Sequence, residues 1–531
     1  MKKVLSVIFI FILLLLVTAC GSSDSSSSAS TEDTTVPVFI SSSTVSVYEN
    51  QLSAITLLAT DTNPVTYSIS GTDAASFRVE SSTGVVTFIN YPVFETKSSY
   101  IFIAAASDGT NISYQNVTIT ILNESAVLNI PSLVVLMNWD DYSQTDPLIW
   151  SDKIFNPSAN SINKWYEESI NTKIQLTPVL ESSGTANDGV IIVNMGKNHP
   201  GGYNDTTFRD TEISNAITSS EVADSMDFAA LDTDGDGTLS RKELQIIFIV
   251  AGGEMSFGDP TDHSIWAHSW SFDSQSTLSV DGVYVMRYTS SETTAGGYAR
   301  FGANHGNHIA TVGIIIHEIG HSLLDLGDYY DLSGGSGLGW YDIMSGGSWA
   351  YQSSDSYAGE TPTQFSAYNR IDSKIGMNPI EVRSSQDLTI RCSSNEFVKL
   401  VTDKTNEYFL LECRDTAKAN SDISFAIADA RFTEDRLFVN LYHVDADKTD
   451  NSESGTQTST NHYKVALVEK DISPLMTSTE RIDADYNDVY TAGDLITTTQ
   501  TRLYDLTLTG YSIEILSEDY TNRTMTVRIT K

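Results

Sequence analysis

The sequence predicts a multidomain chain: an all-β sandwich, then an α/β unit, then a β-rich C-terminal part. Three patterns carry that expectation. Apolar residues alternate in short runs from about residue 36 to 122, strand-like and helix-like segments alternate from about 131, and strand-like runs return beyond about 380. At 531 residues the chain has room for several cores.

The chain opens on "MKKVLSVIFIFILLLLVTAC", with two lysines, an apolar run from Val4 to Val17, and small residues before Cys20. A basic start and an apolar stretch ending in small residues read as a secretory signal over 1–20. The placing of Cys20 is similar to a bacterial lipobox. That resemblance implies a lipidated Cys20, a membrane anchor, and a place on the bacterial cell surface or, after release, outside the cell. "GSSDSSSSASTEDTT" follows, so 21–36 is expected to be a solvated tether.

Residues 37–123 hold "TVSVY", "VTYSIS", "FRVE", "VVTFI", "YIFIAAA" and "NVTITIL", separated by Gly, Asn, Asp and Ser. Short alternating runs with frequent turns predict a β-sandwich. The order of features, from "VYEN" to "IAAASDG", resembles a cadherin-like repeat. Glu49, Asp61, Glu95 and Asp108 fall where that family places acidic calcium ligands, but Val93 and Phe94 replace the acidic pair before Glu95. The unit is therefore read as a spacer, with a cell-surface or matrix partner as the other role open to it.

Over 124–380, "SLVVLMNW" and "LQIIFIVAGG" read as buried strands, and "SINKWYEESINTKIQLTPVL" as a helix running into a strand. The segment from Phe208 to Leu231 reads as helical. Over 381–531 the runs "LTIRC", "FVKLV", "YFLLEC", "RLFVNLYHVDA", "YKVALVEKD" and "MTVRIT" predict strands. Cys392 and Cys413 lie in neighbouring runs of an exported chain and are expected to form a disulfide. The formal net charge of −37 excludes a nucleic-acid partner, because little here would neutralise phosphates.

The densest chemical signal is "HEIGHSLLDLGDYYD", His317 to Asp331. On a helix, His317 and His321 lie one turn apart on one face and can share a zinc ion, with Glu318 beside it to take a proton from water. Asp325 continues the same stripe, but a helix rises about 12 Å over eight residues while zinc ligands sit about 2 Å from the metal. The chain must therefore leave the helix for a third ligand to converge. Gly327 is expected to make the left-handed exit, Asp328 is the first choice of ligand, and Asp331 the second.

With "DIMSGGSW" at 342–349 added, the segment resembles the immune inhibitor A family of secreted metalloproteases, peptidase family M6. The resemblance runs over most of the chain after Pro131. It implies a metzincin-like zinc protease domain, with Met344 in the turn beneath the metal and protein or peptide substrates. Leu324 stands where the family often has Gly, and the loop to the aspartates looks one residue longer.

"DTDGDGTLSRKE" fills each position of an EF-hand loop, with Asp232, Asp234, Asp236, the Thr238 carbonyl, Ser240 and Glu243 as calcium ligands and Gly237 at the sharp turn. His263, His268, His305 and His308 precede the zinc helix and are read as packing or cleft residues, and His443 has no assigned role. Tyr329, Tyr330 and Tyr341 are oxyanion candidates by proximity.

The function expected is a surface-anchored, zinc-dependent endopeptidase with Glu318 as general base. Two other readings stay open: an adhesion or scaffold lipoprotein with an incidental metal, and a zinc hydrolase of non-peptide substrates.

Overall fold

The computed structural model describes residues 33–531 except 50–51, 95, 123–127, 145, 158–160, 171–173, 202–207, 259–262, 274, 289–295, 332–336, 353, 374–376, 378, 395, 417–435, 452–459 and 471–486. The signal, Cys20, Glu95 and most of the tether therefore lie outside the described residues. Among the described residues, no helix is long and apolar enough to cross a membrane.

The N-terminal runs pair as expected of alternating strands. β1 (Thr44–Tyr48), β2 (Thr66–Ser70), β3 (Ser99–Ser107) and β4 (Ile112–Leu122) form one sheet in the order β1-β4-β3-β2. Ser53–Thr56, Phe77–Val79 and Val85–Phe88 form a second. Phe77, Phe88, Phe102, Val117 and Ile119 fill the core between them.

The central sheet is built from apolar strands buried on both faces. β5 (Leu128–Asn138) lies parallel to β6 (Ile174–Pro178), to β7 (Val190–Asn194) and to β8 (Gln245–Glu254). β8 lies parallel to β10 (Tyr298–His305), and β9 (His268–Trp270) closes that side antiparallel to β10. Alternate residues face opposite layers. Val134, Leu136, Ile247 and Ile249 meet α1 (Pro147–Phe155), α2 (Ile162–Ile170) and α3 (Val312–Leu324) in one core. Leu133, Val135, Ile246 and Phe248 meet Ile213, Ile217 and Phe228 in another. The stretch expected to be helical from Phe208 is broken into short pieces, Ile213–Ile217 and Ser220–Ala223 among them. Thr218 and Ser219 interrupt it, and such side chains favour caps over helix interiors.

Beyond the short helix α4 (Ala367–Asp372), the C-terminal strands make two sheets. β11 (Phe397–Leu400), β12 (Glu407–Asp415), β13 (Leu437–Asp445) and β14 (Val465–Leu467) run in that order, with Ile380–Val382 beside β11. One face of this sheet packs on a second sheet through Phe409, Leu411, Val439 and Ile513. The other face packs Leu410, Phe438, Tyr442 and Val465 into the α3 core. One hydrophobic core thus crosses the boundary drawn at residue 380. Cys392 and Cys413 are joined by a disulfide, with their Cα atoms 4.3 Å apart.

Candidate metal centre

α3 is apolar nearly all round because it is buried between the sheet and the C-terminal strands. Its first turn is fixed from outside, with Gly313 N donating to the Gly359 carbonyl at 3.0 Å. The Thr311 hydroxyl donates to the Ala358 carbonyl at 2.8 Å. A Cβ on Gly320 would stand 2.6 Å from Met344 Sδ, so the helix rests directly on the Met344 turn. That turn is organised by Asp342, which is fully buried. Asp342 accepts from Met344 N at 2.6 Å, Ser366 N at 2.7 Å and Asn369 Nδ2 at 2.8 Å.

The helix ends at Leu324, and the left-handed residue is Asp325, with φ 60° and ψ 30°. Gly327 is not among the residues with positive φ, which corrects the expected exit. Aspartate tolerates this conformation better than most residues, and Arg241 Nη1 holds it from 3.0 Å at Asp325 Oδ1. Leaving the helix there carries the chain back over the histidines.

His317, His321 and Asp328 come together. The two Nε2 atoms are 3.2 Å apart, and Asp328 Oδ1 lies 3.1 Å and 3.2 Å from them. Each imidazole donates its Nδ1 proton to a backbone carbonyl, His317 to Ile343 at 2.9 Å and His321 to Leu326 at 2.6 Å. In the neutral rings Nε2 is then a lone pair. The Asp328 Oδ1 atom is buried and is faced by both Nε2 atoms. Three lone-pair atoms face one point. Tetrahedral zinc with bonds of about 2.0–2.1 Å spaces its donors about 3.3 Å apart, so this donor set fits the ion.

Burial pulls the His317 imidazole down, but Asp328 and Glu318 beside it lift it to about 9. Burial raises the Glu318 carboxyl above the usual range against the pull of His317 and His321. Asp331, the second choice of ligand, points elsewhere and accepts from the Tyr463 hydroxyl at 2.7 Å. Of the three tyrosines, Tyr329 and Tyr341 are buried in the core, whereas Tyr330 is half-buried. The Tyr330 ring lies 6.2 Å from the His317 ring.

A cavity of about 1170 Å³ opens beside His321, lined among others by Ser322, Asp325, Arg241, Trp270 and Tyr288. Ser269 and Trp270 of the edge strand β9 form part of its wall.

Sequence reasoning missed Arg300. It lies fully buried on β10, with its guanidinium 5.0 Å from the Phe208 ring. Burial lowers it to about 9, while nearby Glu318 opposes that shift. Its signal was a lone arginine inside the buried-type run "YARFGA". Glu254 was missed too. It is buried at the end of β8 and accepts from Ser256 N, Ala267 N and Gly302 N.

In the 232–243 loop, Asp232, Asp234 and Asp236 cluster, but Glu243 is not in that group. Its two oxygens accept from the amides of Thr233 and Ser240, at 2.8 Å and 3.0 Å. The Ser240 hydroxyl donates to Glu243 as well, at 2.8 Å. The loop runs from a short 3-10 turn, Ala229–Leu231, into β8, so it is not a helix–loop–helix EF-hand. Glu243 and Ser240, expected as calcium ligands, bind each other and the loop backbone here. In the N-terminal part, Asp61 and Asp108 meet Asp33, while Glu49 accepts from Phe94 N at 2.8 Å. His263 faces Asp141, His305 and His308 pack against Phe257, His268 packs on Tyr298, and His443 pairs with Glu407.

No curated protein matches the chain. Among solved structures it resembles human protocadherin-24 EC1-2, at 21% identity and a TM-score of 0.16, covering 19% of this chain and 51% of that one. Drosophila N-cadherin EC1-3 matches at 20% identity and a TM-score of 0.16, covering 17% and 34%. Mouse cadherin-23 EC22-24 matches at 20% identity and a TM-score of 0.15, covering 20% and 38%. The chain thus spans about half or less of these structures, and a likeness at that level says nothing of function. Residues 137–378, which contain α3, the Met344 turn and all three clustered donors, match the family of the immune inhibitor A peptidase M6 catalytic domain.

Proposed function

We propose that the chain is a zinc-dependent endopeptidase acting on extracellular proteins, built on the metzincin-like plan and held at the cell surface by lipid on Cys20. The observation that carries the hydrolytic reading is the triangle of donor atoms on His317, His321 and Asp328, with buried Glu318 close enough to feel the charge of all three and a cleft beside His321. The peptidase family match over 137–378 supports a protein substrate.

Zinc held by these three residues would supply Lewis acidity, polarising the scissile carbonyl and making water a nucleophile near neutral pH. Glu318 takes the proton of the attacking water and passes it to the leaving amine. Its burial keeps bulk water from competing for that proton. Tyr330, the half-buried tyrosine beside His317, donates its hydroxyl to the developing oxyanion. The cleft beside His321 seats the peptide, with the β9 wall offering backbone groups to an extended chain.

The test is casein cleavage by the full chain and by Glu318→Ala, with bound zinc quantified and activity assayed in membrane and soluble fractions. Cleavage falls by roughly 10²–10⁴-fold in the variant while zinc content is unchanged. A zinc-loaded parent that cuts no protein, or a variant as active as the parent, would sink the protease reading. Activity found only in the soluble fraction would remove the anchor.

A further inference from the structure

The segment carrying Asp328 lies beyond the end of α3 and forms no helix or strand over its described residues. Besides local bonds, such as Leu338 N to the Tyr329 carbonyl at 2.9 Å, it is held from far along the chain. The Tyr463 hydroxyl, fully buried, donates to Asp331 Oδ2 at 2.7 Å. Asn451, also fully buried, donates from Nδ2 to the Tyr329 carbonyl at 3.2 Å and to the Val465 carbonyl at 2.8 Å. Its Oδ1 accepts from Val465 N at 3.1 Å, which ties the clamp to β14. On the other side, Tyr329 N donates to the Met344 carbonyl at 2.8 Å. Asp328 thus stands directly before a stretch pinned at Tyr329 and again at Asp331.

A ligand on an irregular segment must lose its backbone freedom before it can converge with others. Anchors that already hold the segment remove that cost from metal binding. We infer that Tyr463 is a positioning residue for the third ligand: by fixing Asp331 it holds the Asp328 segment over His317 and His321. The strand edge at β14 is then a working part of the metal centre. This rests on reading His317, His321 and Asp328 as a zinc site.

The test is the rate at which excess chelator removes zinc from the full chain, followed with a metallochromic dye, alongside each protein's melting temperature. The variants are Tyr463→Phe, Asp331→Ala and their double. Tyr511→Phe is the control, because its buried hydroxyl donates to the Val382 and Val401 carbonyls within the C-terminal sheets. Zinc leaves Tyr463→Phe and Asp331→Ala on the order of tenfold faster, as for other groups that orient ligands. The double variant is no faster than either single, since both break one interaction. Tyr511→Phe releases zinc at the parent rate. Should Tyr463→Phe not fold, Asp331→Ala carries the test alone. Parent-like release from Tyr463→Phe would overturn the inference, and so would equal acceleration in Tyr511→Phe, which would mean general loosening. A parent that takes up no zinc is a separate result, and brings down the zinc reading itself.

Discussion

Tyr330 is the side chain whose chemistry is most exposed to test. Burial, with Asp328 and Glu318 nearby, pushes its hydroxyl up, so it stays protonated and able to donate. Tyr330→Phe is expected to lower kcat by about 10²-fold, the usual cost of removing one oxyanion donor, with KM little changed and zinc retained. A steady-state comparison on one peptide checks this, and an unchanged kcat would remove Tyr330 from the reaction. At this scale the histidine pair was legible because helix geometry turns a spacing of four into one face. That Asp325 could not join them followed from the limit a rising helix sets on convergence. The exit residue did not, because glycine is only the commonest left-handed residue and Arg241, from a distant loop, steadies Asp325 in that role. Arg300 and Glu254 were hidden for a related reason, since Phe208 and Glu318 reach Arg300, and Ala267 and Gly302 reach Glu254, from elsewhere in the chain.

Among the elements, α3 shows how closely backbone pieces meet around the centre. A Cβ on Gly313 would lie 1.8 Å from the Ser348 carbonyl oxygen, a backbone atom that cannot swing aside. Gly313→Ala should therefore destabilise by about 1–3 kcal/mol through overpacking. Helix propensity alone would favour alanine by about 1 kcal/mol, so the sign of the change decides which effect wins. Denaturant unfolding measures it, and a stabilised variant would mean that the 346–349 turn yields easily. α2 and β6 were readable from their periodicity. The 232–243 loop was readable as an acidic turn, but its flanks were not, because a ligand pattern says nothing about whether helices enclose it.

Across the whole molecule, the C-terminal sheets hold the clearest acid-sensitive cluster. His443 Nε2 lies 3.0 Å from Glu407 Oε1, both buried, with Tyr504, His462, Asp445, Lys404 and Asp505 grouped around them. Burial lowers His443 below its ordinary 6.5, with Glu407 opposing. Burial alone would raise Glu407, but His443, the Tyr504 amide and Lys404 outweigh it and hold the carboxyl at about 2, down from 4.5. As pH falls below about 6.5 the unfolded chain takes up a proton that His443 resists in the fold, so stability drops. The Glu407 contribution, full above about 4.5, is lost as pH falls toward 2. Melting temperature should fall steadily from pH 7 to 4, and His443→Gln should flatten the upper part of that fall. A variant with the parent's slope between pH 7 and 5 would exclude His443 as its source. The layered order of strands and helices was legible from the sequence, whereas the sharing of one core across residue 380 was not, because alternation tells which face is apolar but not what covers it.

That shared core sets a timetable. A chain made from its N-terminus completes the two histidines long before Phe438, Tyr442 and Val465 exist to cover the far side of their helix. Domains fold as units when their parts are present, so the helix carrying the two histidines is fully covered only near the end of synthesis. The meeting of His317, His321 and Asp328 is thus among the last features a nascent copy completes.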